Sequence, residues 1–231
     1  MRSDMRSFAG RHWTPRLVGV IASLPDLRRA MGMRQPPDLF ELRLDQLVRF
    51  IHDVEREISR LRSPLIITAR HPHEGGANNL SLQQRRTLLT RFLPHADYID
   101  IELRSVVALR PLLTLAKQRK VGRIISFHDF QSTPAPRILV AKARAAEAHG
   151  ASIFKIATRI DRPLELGRLL DLMANPNTRV PVSAMGIGHL GSISRVLLAR
   201  AGSALSYGWL TTRTNIEGQL SLEELRALGI G

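Results

Sequence analysis

Eight times along the chain a short apolar run is followed by a segment whose apolar residues recur at helical spacing, and few architectures accept so regular an alternation. The runs fall at 17–22, 38–44, 64–70, 98–103, 123–129, 152–158, 180–186 and 203–210. Between the second and third, Leu47, Val48, Ile51, Val54, Ile58 and Leu61 share one face, which predicts a helix from Gln46 to Leu61. Ser81 with Gln84 and Ser221 with Glu224 read as capping boxes, and Pro134 after Thr133 suits the first turn of another helix. Eight βα units make a (β/α)8 TIM barrel, which takes about 250 residues in typical cases. The 231 residues here fit a compact version in a single domain, with 1–16 as a basic N-terminal extension and 17–231 as the barrel.

A barrel of this kind carries its chemistry at the carboxyl ends of the strands. The polar residues collect there: Glu41 and Arg43 on the second strand, Thr68 and Arg70 on the third, His128 on the fifth and Lys155 on the sixth. Strand alternation points Glu41 with Arg43 and Thr68 with Arg70, leaving Leu42 and Ala69 on the opposite face. Charges inside a small barrel are costly without a partner or ligand, so their concentration at one rim favours a site. Lys155 lies in the apolar run Ser152 to Thr158, where burial disfavours the cation and leaves an amine to condense with a carbonyl. The plainer reading is a lysine whose stem packs while its head reaches water. Equally plain readings exist for a Glu41–Arg43 ion pair, a core His128 and an Arg70 that caps the mouth. Together the residues supply an amine, an imidazole base, acidic partners and guanidinium clamps, a set suited to carbonyl chemistry on an anionic polyol.

Three later segments extend the set. Glu74-Gly75-Gly76 reads as a carboxylate on a flexible loop that reaches and orients His128. Gly191 to Arg195 opens a helix whose amino-terminus and Arg195 together favour a carboxylate. Thr211 to Gln219 is a polar stretch placed to act as a lid. His71 and His73 raise a metal-site alternative. In metal-dependent barrel hydrolases, however, such a pair sits on strand one and needs an acid after strand eight, which this chain lacks, so no metal is expected.

The formal charge of +14 calls for anionic partners or a solvated surface. The arginines are dispersed over most predicted helices, at Arg56, Arg60, Arg85, Arg86, Arg144 and Arg168, and form no stripe for nucleic acid. They read as a basic surface that steers a small anion. No cysteine is present, which excludes disulfides and thiolate metal sites, and no segment has the length of a membrane span. A soluble cytoplasmic protein is expected.

The ordered motifs Glu41-Leu42-Arg43, Thr68-Ala69-Arg70 with Glu74-Gly75-Gly76, Asp100-Ile101-Glu102, Ser126-Phe127-His128-Asp129, Phe154-Lys155-Ile156-Ala157, Ser194-Arg195 and Gly218-Gln219 resemble the type I 3-dehydroquinate dehydratases, over roughly residues 17 to 228. The resemblance implies a Schiff base between Lys155 and the ketone of 3-dehydroquinate, with His128 as the general acid and base of a syn elimination to 3-dehydroshikimate. It implies that Glu74 orients His128, that Arg195 and Gln219 hold the substrate carboxylate, and that Glu41, Arg43 and Arg70 bind the ring hydroxyls. It implies neither metal nor organic cofactor, and a homodimer. Asn215 stands where family members often carry a serine four residues before the glutamine, with Thr214 beside it.

Overall fold

Side chains alternate along each strand between two apolar layers, and this alternation builds the barrel. The computed structural model describes residues 15–175, 177–211 and 216–231. Its strands are β1 (Arg16–Ile21), β2 (Leu39–Arg43), β3 (Leu65–Thr68), β4 (Tyr98–Glu102), β5 (Gly122–Asp129), β6 (Ile153–Arg159), β7 (Val182–Ile187) and β8 (Leu205–Trp209). All pairings are parallel, in the order β7-β6-β5-β4-β3-β2-β1-β8. Val18, Val20, Leu39, Ile66, Ile124 and Ile153 pack together on the inner face. Ile21, Phe40, Leu42, Ile67, Ile101, Phe154 and Ile156 pack outward against the helices. Covered on both faces, the strands read as nearly continuous apolar runs, which is why they stand out in the sequence. β1 begins at Arg16, so that residue belongs to the barrel rather than to the extension, and residues 1–14 lie outside the described ones.

The helices are α1 (Leu24–Gly32), α2 (Leu44–Leu47), α3 (Ile51–Glu57), α4 (Leu82–Phe92), α5 (Arg110–Gln118), α6 (Pro136–Ala148), α7 (Pro163–Ala174), α8 (Gly191–Arg200) and α9 (Leu222–Ala227). The helix expected over 46–61 is instead α2 and α3, joined and ended by 3-10 turns at Val48–Phe50 and Ile58–Arg60. A 3-10 turn tightens a helix without discarding its buried stripe, so Leu47, Ile51, Val54 and Ile58 all stay buried. Both capping boxes form, Ser81 with Gln84 and Ser221 with Glu224. The proline that opens α6 is Pro136, not Pro134, because the Thr133 hydroxyl is bound to Thr158 Oγ1 at 2.8 Å and holds the chain back on β6. Arg85 on α4 corrects the view of a purely solvated basic surface. It is only 1% exposed, donating to the Ala69 carbonyl at 2.7 Å and pairing with Glu102.

Closure between β7 and β8 differs from the other seven junctions. No regular ladder joins them, and hydroxyl groups take over part of its work. Ala204 N donates to Val182 O at 2.9 Å, Ala184 N donates to Ser203 Oγ at 3.0 Å, and Ser183 Oγ donates to Leu205 O at 3.1 Å. The hydroxyls satisfy backbone groups that would otherwise be buried unpaired.

Candidate active site

Alternation along β6 turns Ile153, Lys155 and Ala157 inward and Phe154 and Ile156 outward, so the lysine is committed to the barrel interior. Its amino group does not sit in purely apolar surroundings, as the run 152–158 suggests. Nζ lies 3.2 Å from Glu41 Oε1 and 3.0 Å from Asp100 Oδ2, and 3.9 Å from the centre of the Tyr207 ring. The carboxylates come from β2 and β4 and the ring from β8, so three strands converge on one nitrogen. The snorkelling alternative fails, since Lys155 is 3% exposed.

Arg70 organises the acids beneath this nitrogen. Its guanidinium donates to both oxygens of Asp100, at 3.1 and 2.9 Å, and to Glu102 at 3.3 Å and Ser126 Oγ at 2.7 Å, with Glu41 at 3.7 Å. Burial alone would raise the Asp100 pKa, but Arg70 and then Lys155 hold it far below the usual carboxylate range. Thr68 Oγ1 donates to Glu41 at 2.8 Å, which fixes the face that Glu41 turns to Lys155. Arg43 pairs not with Glu41 but with Asp45, through Nε at 3.1 Å and Nη2 at 2.9 Å, and also donates to Gly75 O at 3.1 Å. Asp45 is the better partner because it is already fixed by the N–H groups of Arg70 and Ala77. Arg43 is thereby held at the pocket wall.

Glu74 is delivered by a pinned turn rather than a loose loop. His71 O accepts from Glu74 N at 2.9 Å and from Gly76 N at 3.0 Å, and the His71 ring accepts from His73 N at 3.0 Å. Gly75 closes the turn at φ 82°, and at Gly76 a Cβ would meet Arg70 O at 2.2 Å, so each glycine is required. Glu74 Oε2 accepts from His128 N at 2.9 Å and lies 3.0 Å from His128 Nδ1, while Arg104 approaches Oε1 at 3.3 Å. Burial, then Glu102, raises the Glu74 pKa to about 7. Burial, then the charges of Arg70 and Lys155, drives His128 well below the ordinary histidine value. Burial thus favours the neutral ring, and a proton held between Nδ1 and Glu74 would leave the Nε2 lone pair free. His71 and His73 gather no third metal-ligating side chain among the described residues.

Arg195, on the first turns of α8, is buried rather than solvent-facing. Nε donates to Gly186 O at 3.2 Å and Nη1 to Tyr207 O at 3.4 Å, and no carboxylate pairs with it among the described residues. Burial alone lowers its pKa to about 10. Gln219 also lines the pocket, its backbone carbonyl accepting from Trp209 Nε1 at 3.3 Å. Asn215 and Thr214 lie outside the described residues. Glu41, Arg43, Arg70, Glu74, His128, Lys155, Arg195 and Gln219 all line one cavity of about 430 Å³ at the carboxyl ends of the strands. Residue-by-residue reasoning missed Asp100, Glu102 and Tyr207 as members of this site. Period-two reading of Asp100-Ile101-Glu102 points both acids inward and was the available signal.

Comparison with known proteins gives one answer. The family model described as Type I 3-dehydroquinase matches residues 22–228. The 3-dehydroquinate dehydratase of Shouchella clausii is 32% identical over 83% of this chain and 80% of its own length. That of Methanocella arvoryzae is 30% identical over 94% of this chain and 98% of its own. Among solved structures, the type I 3-dehydroquinate dehydratase of Clostridium difficile superposes with a TM-score of 0.82 at 27% identity, covering 94% of this chain and 91% of that one. An inward lysine between two carboxylates, a glutamate-backed histidine and an arginine with no acid against it among the described residues thus occur on a barrel that sequence and structure both match, and the chain belongs to the type I 3-dehydroquinase family.

Proposed function

We propose that Lys155, His128, Glu74 and Arg195 carry the reaction of this hydro-lyase, the dehydration of 3-dehydroquinate to 3-dehydroshikimate. Nζ of Lys155 adds to the ring ketone and expels water, leaving an iminium that acts as an electron sink for the adjacent carbon. Glu41, one of the two flanking carboxylates, provides an acceptor for the proton that the amine sheds before it attacks. Nε2 of neutral His128 removes the proton next to the iminium and returns it to the departing hydroxyl on the same face, and Glu74 holds the ring for both transfers. Hydrolysis of the product imine consumes the first water, so one water is lost overall. Arg195 pairs the substrate carboxylate with Gln219 closing over it, and Glu41 and Arg43 meet the ring hydroxyls. Arg70 has its nitrogens engaged by Asp100, Glu102 and Ser126, and in this reading serves by fixing Glu41 and Asp100.

The observation that carries the proposal is that Lys155 and the Glu74–His128 pair share one pocket with a buried arginine that has no acid against it among the described residues. A homologue offers a parallel: the Clostridium difficile enzyme was solved with covalently modified comenic acid. Borohydride added during turnover with 3-dehydroquinate is expected to fix the reduced adduct on the peptide containing Lys155, read by mass. An unmodified peptide under conditions of active turnover overturns the assignment. We further propose that the catalytic unit is a single barrel, begun by β1 at Arg16, and that it acts as a cytoplasmic homodimer, readings supported by the family resemblance and checked by light scattering and cell fractionation. Among the described residues no helix is long and apolar enough to cross a membrane.

A further inference from the structure

Three sides of the Lys155 nitrogen are covered, and they differ in kind. Glu41 and Asp100 bring negative charge, but each is shared: Asp100 also serves Arg70 and Ser126, and Glu41 also serves Thr68. Glu41 is a base as well and competes for the proton that an iminium must keep in order to withdraw electrons, while Asp100 is already committed to Arg70. The third side is the face of the Tyr207 ring, 3.9 Å from Nζ to centroid. An aromatic face attracts a cation through its quadrupole and has no basicity with which to take the proton.

The setting strengthens this contact. The Lys155 side chain is 4% exposed and Tyr207 is 3% exposed, so the attraction is barely screened by water. The phenol hydroxyl, in contrast, is buried with no hydrogen-bond partner among the described residues. Whatever Tyr207 offers at this position comes from its ring, since an orphaned hydroxyl only costs the fold. Position is secured from the backbone: Tyr207 lies opposite Val18 in the β1–β8 register, and its carbonyl takes a bond from Arg195 Nη1.

We propose that Tyr207 is a further catalytic residue, whose ring face stabilises the positive charge on the Lys155 nitrogen through the carbinolamine and iminium stages without competing for its proton. The inference rests on Lys155 being the imine-forming residue. It assigns the hydroxyl no part and predicts that the electron density of the ring, rather than its bulk, sets the rate of the covalent steps.

The test replaces Tyr207 with phenylalanine (Tyr207→Phe) as the reference and then with 4-fluoro-, 3,5-difluoro- and 3,4,5-trifluorophenylalanine, which drain the ring face stepwise at nearly constant shape. Single-turnover formation of the borohydride-trapped Lys155 adduct with 3-dehydroquinate is measured for each, with thermal melts to confirm folding. The logarithm of the rate is expected to fall linearly with fluorine number, reaching about tenfold or more by the trifluoro protein, with Tyr207→Leu slower still. Should the trifluoro protein not fold, the slope over the first three members decides. A flat series with normal trapping overturns the role of Tyr207 and leaves Lys155 in place. Absence of trapping in the unmodified protein overturns the imine assignment itself.

Discussion

Arg195→Met should make the protein more stable and much less active. The guanidinium is buried and has no acid against it among the described residues, and burial lowers its pKa from the ordinary arginine value to about 10. A fall of somewhat more than two pH units, at about 1.4 kcal/mol each, corresponds to about 3 kcal/mol by which the folded protein disfavours this cation. Because the unfolded chain holds the proton more tightly, that penalty is fully present at neutral pH. It fades only as pH rises past about 10 toward the ordinary arginine value. Methionine removes the penalty and fills most of the space, but forfeits two hydrogen bonds to backbone carbonyls, worth about 1 kcal/mol each. The net gain is about 1 kcal/mol, or a rise in Tm of about 2–4 °C for a domain of this size. If Arg195 holds the substrate carboxylate as proposed, its loss should lower kcat/KM by about 10²- to 10³-fold. Scanning fluorimetry reads the first effect and the ultraviolet absorbance of the conjugated enone product reads the second. Saturating 3-dehydroshikimate should raise the Tm of the parent protein and leave that of the variant nearly unmoved. A variant that melts below the parent while keeping its KM would refute the reasoning on both counts.

Replacing His128 with alanine should cost about 10²–10⁴-fold in kcat while leaving an adduct trappable on Lys155; a near-normal rate would remove His128 from the proton transfers. The raised Glu74 pKa means that wild-type stability falls as pH rises through about 7, so Glu74→Gln should gain on the parent between pH 5 and 8 in denaturant titrations, and a constant difference would count against the assignment. The same substitution should displace the acid limb of the pH–rate profile, which belongs to the Glu74–His128 pair. Asp100→Ala strands Arg70 and should destabilise the fold by about 3–5 kcal/mol, with Asp100→Asn costing less; an effect below about 1 kcal/mol in the alanine variant would show that the pair is not structural.

The barrel was legible because its strands are buried on both faces and separated by helices with one apolar face, so every strand lies within two residues of its apolar run. Lys155, His128 and Glu74 were legible because strand ends and glycine-bearing turns leave local marks. Arg85 was not. On α4 it looks like any surface arginine, and only the surplus of inward acids, Glu41, Asp100 and Glu102, against Lys155 and Arg70 shows that a further cation is needed. The plain alternative of a Glu41–Arg43 ion pair fails for a related reason: alternation says which way a side chain points, but choosing between Glu41 and Asp45 depends on the backbone N–H groups of Arg70 and Ala77 in a later turn. The tyrosine over the lysine left no mark either, since an aromatic on an inner strand face is ordinary core until the opposing nitrogen is placed.

The junction between β7 and β8 has a mechanical meaning. A cylinder stitched along seven joins by continuous backbone pairing and along the eighth partly by serine hydroxyls has a designated place to loosen, and that place borders Gly186 and Tyr207, whose carbonyls anchor Arg195. Arg195 bonds one carbonyl on each side of this join, so a ligand that orders the arginine is expected to brace it, and amide exchange at Ala184 and Ala204 should then slow when the pocket fills.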